Sequence, residues 1–242
     1  MTTPAGAGVV AFVAGATGFV GRAVVPALVK RGAKVFAHVR PDSSRLDEWR
    51  TRFGEQGATV DASAWDREAL ASAMRATAVT HVFCLIGTTR GRAKADGVSG
   101  NIYEAVDLGL TRILLDAAVA SGRKPRFVYL SSVGASSKAS SAYLKARGRA
   151  EDAVRAGGLP WVIARPSIIG GEGRDDARPG ERAAGVVADG LLAVAGVLGG
   201  KNLRARYRST TPEVLAAALV RLGLDGPADM VAEGDDLRGH GQ

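Results

Sequence analysis

Three glycines spaced three apart, in Gly15-Ala16-Thr17-Gly18-Phe19-Val20-Gly21, follow directly on an apolar run at residues 9–14 and open a segment of helical periodicity. A chain that turns from strand to helix this abruptly is held to a βα unit whose turn carries almost no side chain. The first glycine permits the tight turn, the second lets backbone approach a bound group, and the third lets the helix pack close to the sheet. The amides at the helix start, at the positive end of its dipole, favour an anion. In this strand–turn–helix context the motif reads as a pyrophosphate loop made by Gly15, Thr17, Gly18, Phe19, Val20 and Gly21. Stripped of its flanking elements, the same spacing would be an ordinary turn in a chain rich in Ala and Gly.

Further apolar runs of strand length occur at residues 34–39, 59–60, 81–86, 126–130 and 161–164, with helical segments between them. Val24, Val25, Leu28 and Val29 form one face of a first helix ending at Gly32, in which Pro26 should cause a kink or remove one hydrogen bond. Ile113, Leu114, Ala117 and Ala118 mark another helix, ending at Gly122. Thr211-Pro212-Glu213 opens the last, at residues 212–222, with a capping hydroxyl, a first-turn proline and an acid near the positive end. Residues 170–185 read as a mobile insertion over a cleft, and 185–200 as an apolar helix covering it; beyond Asp225 the tail reads as polar and frayed. The expected fold is α/β, a doubly wound parallel sheet in a single domain over 1–242, with about 166–222 forming a substrate-side lid and last helix.

Composition narrows the function classes. A hydrophobic fraction of 46% with 5% aromatic residues can fill such a core with Val, Leu, Ala and Ile. The single cysteine, Cys84, excludes a disulfide framework within the chain and a Cys-based zinc cluster, and in its apolar run it reads as a small buried hydrophobe. No metal site is expected. The net charge of +8 raises the question of nucleic acid, but the basic residues alternate with acids, as in Arg45, Asp47, Glu48, Arg50, Arg52 and Glu55. An anionic cofactor is a sufficient use for the charge, so no nucleic-acid partner is expected. The first residues lack the pattern of a secretory signal, and no run approaches the ~18 apolar residues of a spanning helix. The expected location is cytoplasmic, with no membrane span, and the oligomeric state is left open.

The end of the second run selects the cofactor. An acid there would accept from the ribose 2′-hydroxyl of NAD, whereas arginine accommodates the 2′-phosphate of NADP. His38-Val39-Arg40-Pro41 puts Arg40 nineteen residues past Gly21. A guanidinium can grip a phosphate with two parallel bonds, which favours NADP over NAD. Asp42 is close enough to accept from a ribose hydroxyl instead, and an exposed arginine at a strand end is common.

The Gly15/Gly18/Gly21 spacing, Arg165-Pro166 after the sixth run and Thr211-Pro212 together resemble the atypical and extended branches of the short-chain dehydrogenase/reductase superfamily. More narrowly, residues 82–91 (VFCLIGTTRG), residues 129–135 (YLSSVGA) and Arg178-Pro179-Gly180-Glu181 resemble its Tat-interacting oxidoreductase-like subgroup. The resemblance spans about residues 9–222; the GTTRG run is its most specific part. It implies an NADPH-binding fold in which Leu85, Ile86 and Gly87 line the nicotinamide ribose and Pro166, Ser167 and Ile168 flank the nicotinamide. It places Ser63 where the family has an acid that holds the adenine; Asp61 lies nearby without that assignment.

The resemblance also implies oxidoreductase chemistry: Tyr143 exchanges a proton while hydride moves, Ser131 or Ser132 orients the substrate oxygen, and a lysine four residues after the tyrosine acidifies it. A phenol near pKa 10 needs such a cation to work at neutral pH. This chain has Arg147 at that position and Lys145 two residues after the tyrosine, about 200° around the helix. The arginine keeps the charge with a different shape. Two readings follow: an NADPH-dependent reductase of a small carbonyl compound, or a non-enzymatic NADPH-binding sensor, assembly or regulatory protein, with an unknown protein partner in place of a substrate.

Overall fold

The computed structural model describes residues 8–88, 101–167, 169 and 210–238. The expected insertion and apolar helix over 170–200, Ile168, and the motif residues Thr89, Arg90, Gly91 and Arg178 through Glu181 lie outside the described residues.

The chain alternates strand and helix as β1 (Val10–Ala14), α1 (Gly21–Lys30), β2 (Lys34–His38), α2 (Leu46–Glu55), β3 (Thr59–Asp61), α3 (Arg67–Ala76) and β4 (His81–Cys84). A wide-turned π-helical segment, Tyr103–Leu110, runs straight into α4 (Thr111–Ala120). There follow β5 (Arg126–Leu130), α5 (Ala142–Ala156), β6 (Trp161–Arg165), α6 (Pro212–Asp225) and β7 (Met230–Glu233). The seven strands are all parallel, in the order β3-β2-β1-β4-β5-β6-β7. The direction of winding reverses between β1 and β4, and ligands of such sheets bind outside the carboxyl ends of the strands at that reversal.

Alternation along each strand feeds two cores. Ala11, Val13, Val35, Ala37, Phe83 and Val128 face α1, α2 and α6, whereas Phe12, Phe36, Val82, Phe127 and Tyr129 face α3, α4 and α5. With both faces covered, the strands read as continuous apolar runs. α1 passes through Pro26 unbroken and forgoes only the bond that a proline cannot donate.

Two helices were not apparent from the sequence. In α2 the charges that looked scattered pair along the outer face, Arg45 with Glu48 and Arg50 with Asp47, while Trp49 and Phe53 stack inward. α3 is capped by Asp66, which accepts from the amides of Glu68 and Ala69 at 3.0 Å. The expectation of a frayed tail is corrected. β7 pairs with β6 from Val162↔Met230 to Arg165↔Glu233, and a 3-10 turn at Gly234–Leu237 buries Leu237. Arg126 ties this region down by donating to the carbonyls of Gly223 and Gly226.

His81, at the opposite end of β4 from the crevice, gives the fold a pH dependence. Burial, with Arg126 nearby, lowers its pKa to about 4. The unfolded chain therefore takes up this proton near pH 6.5 and the folded protein only near pH 4, so stability is full above pH 6.5, falls between the two and levels off below. The loss should be on the order of 2–3 kcal/mol. Denaturant titrations of wild type and His81→Gln at several pH values check this; equal slopes for both proteins in that window would exclude His81 as the cause.

Candidate functional site

The glycine turn is built so that backbone, not side chain, faces the crevice. Gly15 has φ +81°, and a Cβ on it would lie 2.8 Å from the Leu85 backbone at the end of β4. A Cβ on Gly21 would lie 2.2 Å from the Gly15 carbonyl, so the third glycine seats α1 on its own turn rather than on the sheet. The Gly18 N–H closes the turn by donating a hydrogen bond of 3.0 Å to that carbonyl. No side chain caps α1 and its first turn carries no acid, whereas Asp66, Ser141 and Thr211 cap α3, α5 and α6. The Arg22 and Ala23 amides are taken by the Gly18 and Val20 carbonyls, and with no side-chain cap or acid in the way the positive end of the helix dipole faces the crevice, which favours an anion. Thr17 and Phe19 are half-buried beside it, and Val20 is buried.

At the ends of β2 and β3 the structure places the adenosine-side candidates. Arg40 is exposed, with Nε 3.7 Å from Asp42. The Ser63 hydroxyl and amide both donate to the Asp61 carboxylate, at 3.0 and 3.1 Å, and the Ser63 carbonyl accepts from His38 Nε2. Ser63 and Asp61 therefore act as one unit. Burial lowers the His38 pKa, against the pull of its bond to Ser63 and the charge of Asp61.

The tyrosine side is organised by Arg147. Ser141 caps α5, and Tyr143 lies half-buried in its first turn, edge-on to Tyr103 at 5.4 Å. One turn on, the Arg147 guanidinium lies 5.4 Å from the Tyr143 ring centroid and 5.7 Å from that of Tyr129. Lys145 is exposed, on the other side of the helix. Arg147 Nη1 donates to the Leu130 carbonyl at 2.7 Å and the Tyr129 hydroxyl at 3.2 Å, while Nη2 pairs with Asp107 at 2.8 Å. Burial alone would lower the Arg147 pKa, but Tyr129, Tyr143 and Asp107 outweigh it, and the group stays charged. A Cβ on Gly87 would sit 2.3 Å from Nη2, so the tip of the guanidinium abuts bare backbone just past β4. Leu85 and Ile86, the other expected nicotinamide-ribose residues, are buried beside it.

The two serines are separated. Ser131 is buried and donates to Glu151 at 2.6 Å, so its hydroxyl is committed to a network of Glu151, Arg165, Arg155 and Glu233 rather than open to a substrate. The expected substrate-orienting role of Ser131 would have to compete with that bond. Ser132 is half-buried, and among the described residues its hydroxyl reaches only the Val133 carbonyl, at 3.4 Å. The ladder between β5 and β6 continues past the strand ends with the Val133 amide on the Pro166 carbonyl, which places buried Pro166 beside the serines. Cys84 is fully buried, its thiol pushed up to about 11, and serves as core. Gly148 sets the height of α5: a Cβ there would lie 2.1 Å from the Ser136 backbone.

Asp107, Tyr129 and Glu151 were missed in the sequence. An acid set between the apolar Val106 and Leu108, in the segment before α4, was the available signal for Asp107.

The family model of NAD(P)H-binding proteins matches residues 15–190. The chain belongs to this NAD(P)H-binding family. NADH dehydrogenase (ubiquinone) 1 alpha subcomplex subunit 9, mitochondrial, of Mus musculus is similar to it, 33% identical over 171 residues, which is 70% of this chain and 42% of that protein. The chain thus spans less than half the length of that relative. Protein fmp52, mitochondrial, of Emericella nidulans is 30% identical over 190 residues, 73% of each chain. A short-chain dehydrogenase/reductase from Serratia marcescens shares the fold, with a TM-score of 0.60 at 17% identity over 96% of this chain and 98% of that one. The family supports binding of NAD or NADP without distinguishing them. Among the described residues, no helix of this NAD(P)H-binding protein is long and apolar enough to cross a membrane.

The contact between Gly87 and Arg147 is testable. Gly87→Ala should lower stability by about 1–3 kcal/mol, because the pinned guanidinium cannot move aside freely. In an Arg147→Ala background the same change should cost much less. Chemical denaturation of the four proteins measures the difference; equal costs would mean that the two residues do not meet.

Proposed function

We propose that the protein is an NADPH-dependent reductase of a small carbonyl compound, with Tyr143 as the proton donor. The observation that carries this reading is the Arg147 guanidinium, held between the Tyr143 ring and the bare backbone of Gly87. The residues present fit a dinucleotide. The uncapped start of α1 and the Gly15 turn suit the pyrophosphate, and Arg40 suits a 2′-phosphate. Leu85, Ile86 and Gly87 suit the nicotinamide ribose, beside an Arg147 Nε that is buried without a partner among the described residues.

When bound, the nicotinamide supplies a hydride to the carbonyl carbon. Tyr143 gives its hydroxyl proton to the carbonyl oxygen, so the carbonyl becomes an alcohol, the cofactor is oxidised and solvent returns the proton. Ser132 is the hydroxyl left to orient that oxygen. Arg147 stabilises the phenolate formed in the step, as a cation near an ionising phenol does.

A second reading has specific support. Asp107 offsets the charge of Arg147, and Tyr129 and Leu130 occupy further donors, which fits a cofactor binder without chemistry. The mouse relative is named as a subunit of an NADH dehydrogenase, which suggests a protein partner.

Single-turnover oxidation of NADPH against a panel of aldehydes, ketones and quinones separates the two. For the reductase, Tyr143→Phe should cut the rate by ~10²–10⁴ while leaving the NADPH Kd unchanged. Binding of NADPH with no oxidation by any compound would select the binder. The preference for NADP rests on Arg40. Arg40→Asp should weaken NADPH by about 10–100-fold and leave NADH unaffected in calorimetry. Equal affinities of wild type for the two cofactors would remove Arg40 from the site.

A further inference from the structure

The acid that meets Arg147 is not where an acid is expected. Asp107 lies midway along the π-helical segment, fully buried, between the apolar residues Val106 and Leu108. An ionised carboxylate in such surroundings is unfavourable unless it is paired and hydrogen-bonded, and removing one partner of such a pair leaves the other charge uncompensated. Burial indeed raises the Asp107 pKa, against the pull of Arg147 and of the Thr88 amide. The carboxylate thus lies between the arginine fork, 2.8 Å from Nη2, and the Gly87 backbone. A Cβ on Gly87 would lie 2.3 Å from Arg147 Nη2 and 3.6 Å from Asp107 Oδ1, so fork and carboxylate both lie directly against that stretch of backbone.

The fork is held at three points. Leu130 and Tyr129 accept from Nη1, Asp107 is the counter-ion 2.8 Å from Nη2 with neither carboxylate oxygen in hydrogen-bond alignment, and Nε has no partner among the described residues. An arginine held by one nitrogen only could swing about its side-chain bonds. Held at both terminal nitrogens, it keeps the Nε–H in one direction, as a fixed planar donor can.

We propose that Asp107 is a positioning residue for the nicotinamide half of the cofactor site: through Arg147 and the Gly87–Thr88 backbone it fixes the remaining guanidinium donor for an acceptor oxygen of the bound dinucleotide. This rests on the cofactor reading above, but not on the reductase chemistry. Asp107 touches no substrate or cofactor itself and acts through its two neighbours. The wide turns of the π-helical segment turn it inward, and Thr111 secures it by donating to its carbonyl at 2.7 Å. π-helical turns often accompany functional sites.

The test uses two ligands: NADPH, which fills the whole site, and adenosine 2′,5′-bisphosphate, which lacks the nicotinamide half. Titration of wild type should show both binding. Asp107→Asn should weaken NADPH by about tenfold and change the bisphosphate by less than about twofold. Arg147→Gln should do the same. The double variant, which carries no unpaired charge and is the fallback if Asp107→Asn fails to fold, should bind NADPH no more weakly than Arg147→Gln alone. An equal loss of both ligands would mark general damage and overturn the positioning role. So would unchanged NADPH binding, or a double variant about tenfold weaker than Arg147→Gln. If wild type bound neither ligand, the cofactor reading itself would fall and take this inference with it, a result distinct from any of the variant outcomes.

Discussion

The close approach of the turn after β1 to the end of β4 governs much of the rest, because it leaves no space there for a side chain. Gly15 abuts the Leu85 backbone, and Gly21 abuts the Gly15 carbonyl. With those two contacts made, the start of α1 and the end of β4 share one edge of the crevice. A ligand placed there is met by main-chain groups from both. The reversal of winding between β1 and β4 puts this edge at the centre of the sheet, so the remaining strand ends spread to either side.

Two buried charge networks stand to one side of that edge. Asp107 and Arg147 link the helix after β4 to α5, and Glu151 with Arg165 and Glu233 links α5 to β6 and β7. Burying such groups gains little over apolar packing, but removing one partner costs about 3–5 kcal/mol. The networks therefore specify where α5 lies more than they add to stability. Tyr143 takes its position from that placement.

The sequence was informative wherever the determinants were local. Six strands, the glycine turn and the shared face of Tyr143 and Arg147 follow from spacing alone, and the structure has them. The helix at α2 was hidden because its surface charges outnumber its two buried rings, Trp49 and Phe53. β7 was hidden because four residues of modest hydrophobicity become a strand only by pairing with β6. Asp107 and Glu151 find their partners across the fold, which no spacing rule reports. The two serines could have been told apart. Alternation along β5 puts Phe127 and Tyr129 on the α5 side, so Ser131 lands there, against Glu151.

Gly148 carries a further consequence. With the Ser136–Ser137 backbone filling the space where its side chain would be, α5 has only one azimuth that fits; a rotation by one residue would drive the stem of Arg147 or Arg149 into that backbone. The helix is thus keyed to the loop like a pin in a slot. Divergence at this site can change which side chains stand at positions 143 and 147, but it cannot trade them for their neighbours by turning the helix. New chemistry on this scaffold has to come from substitution in place.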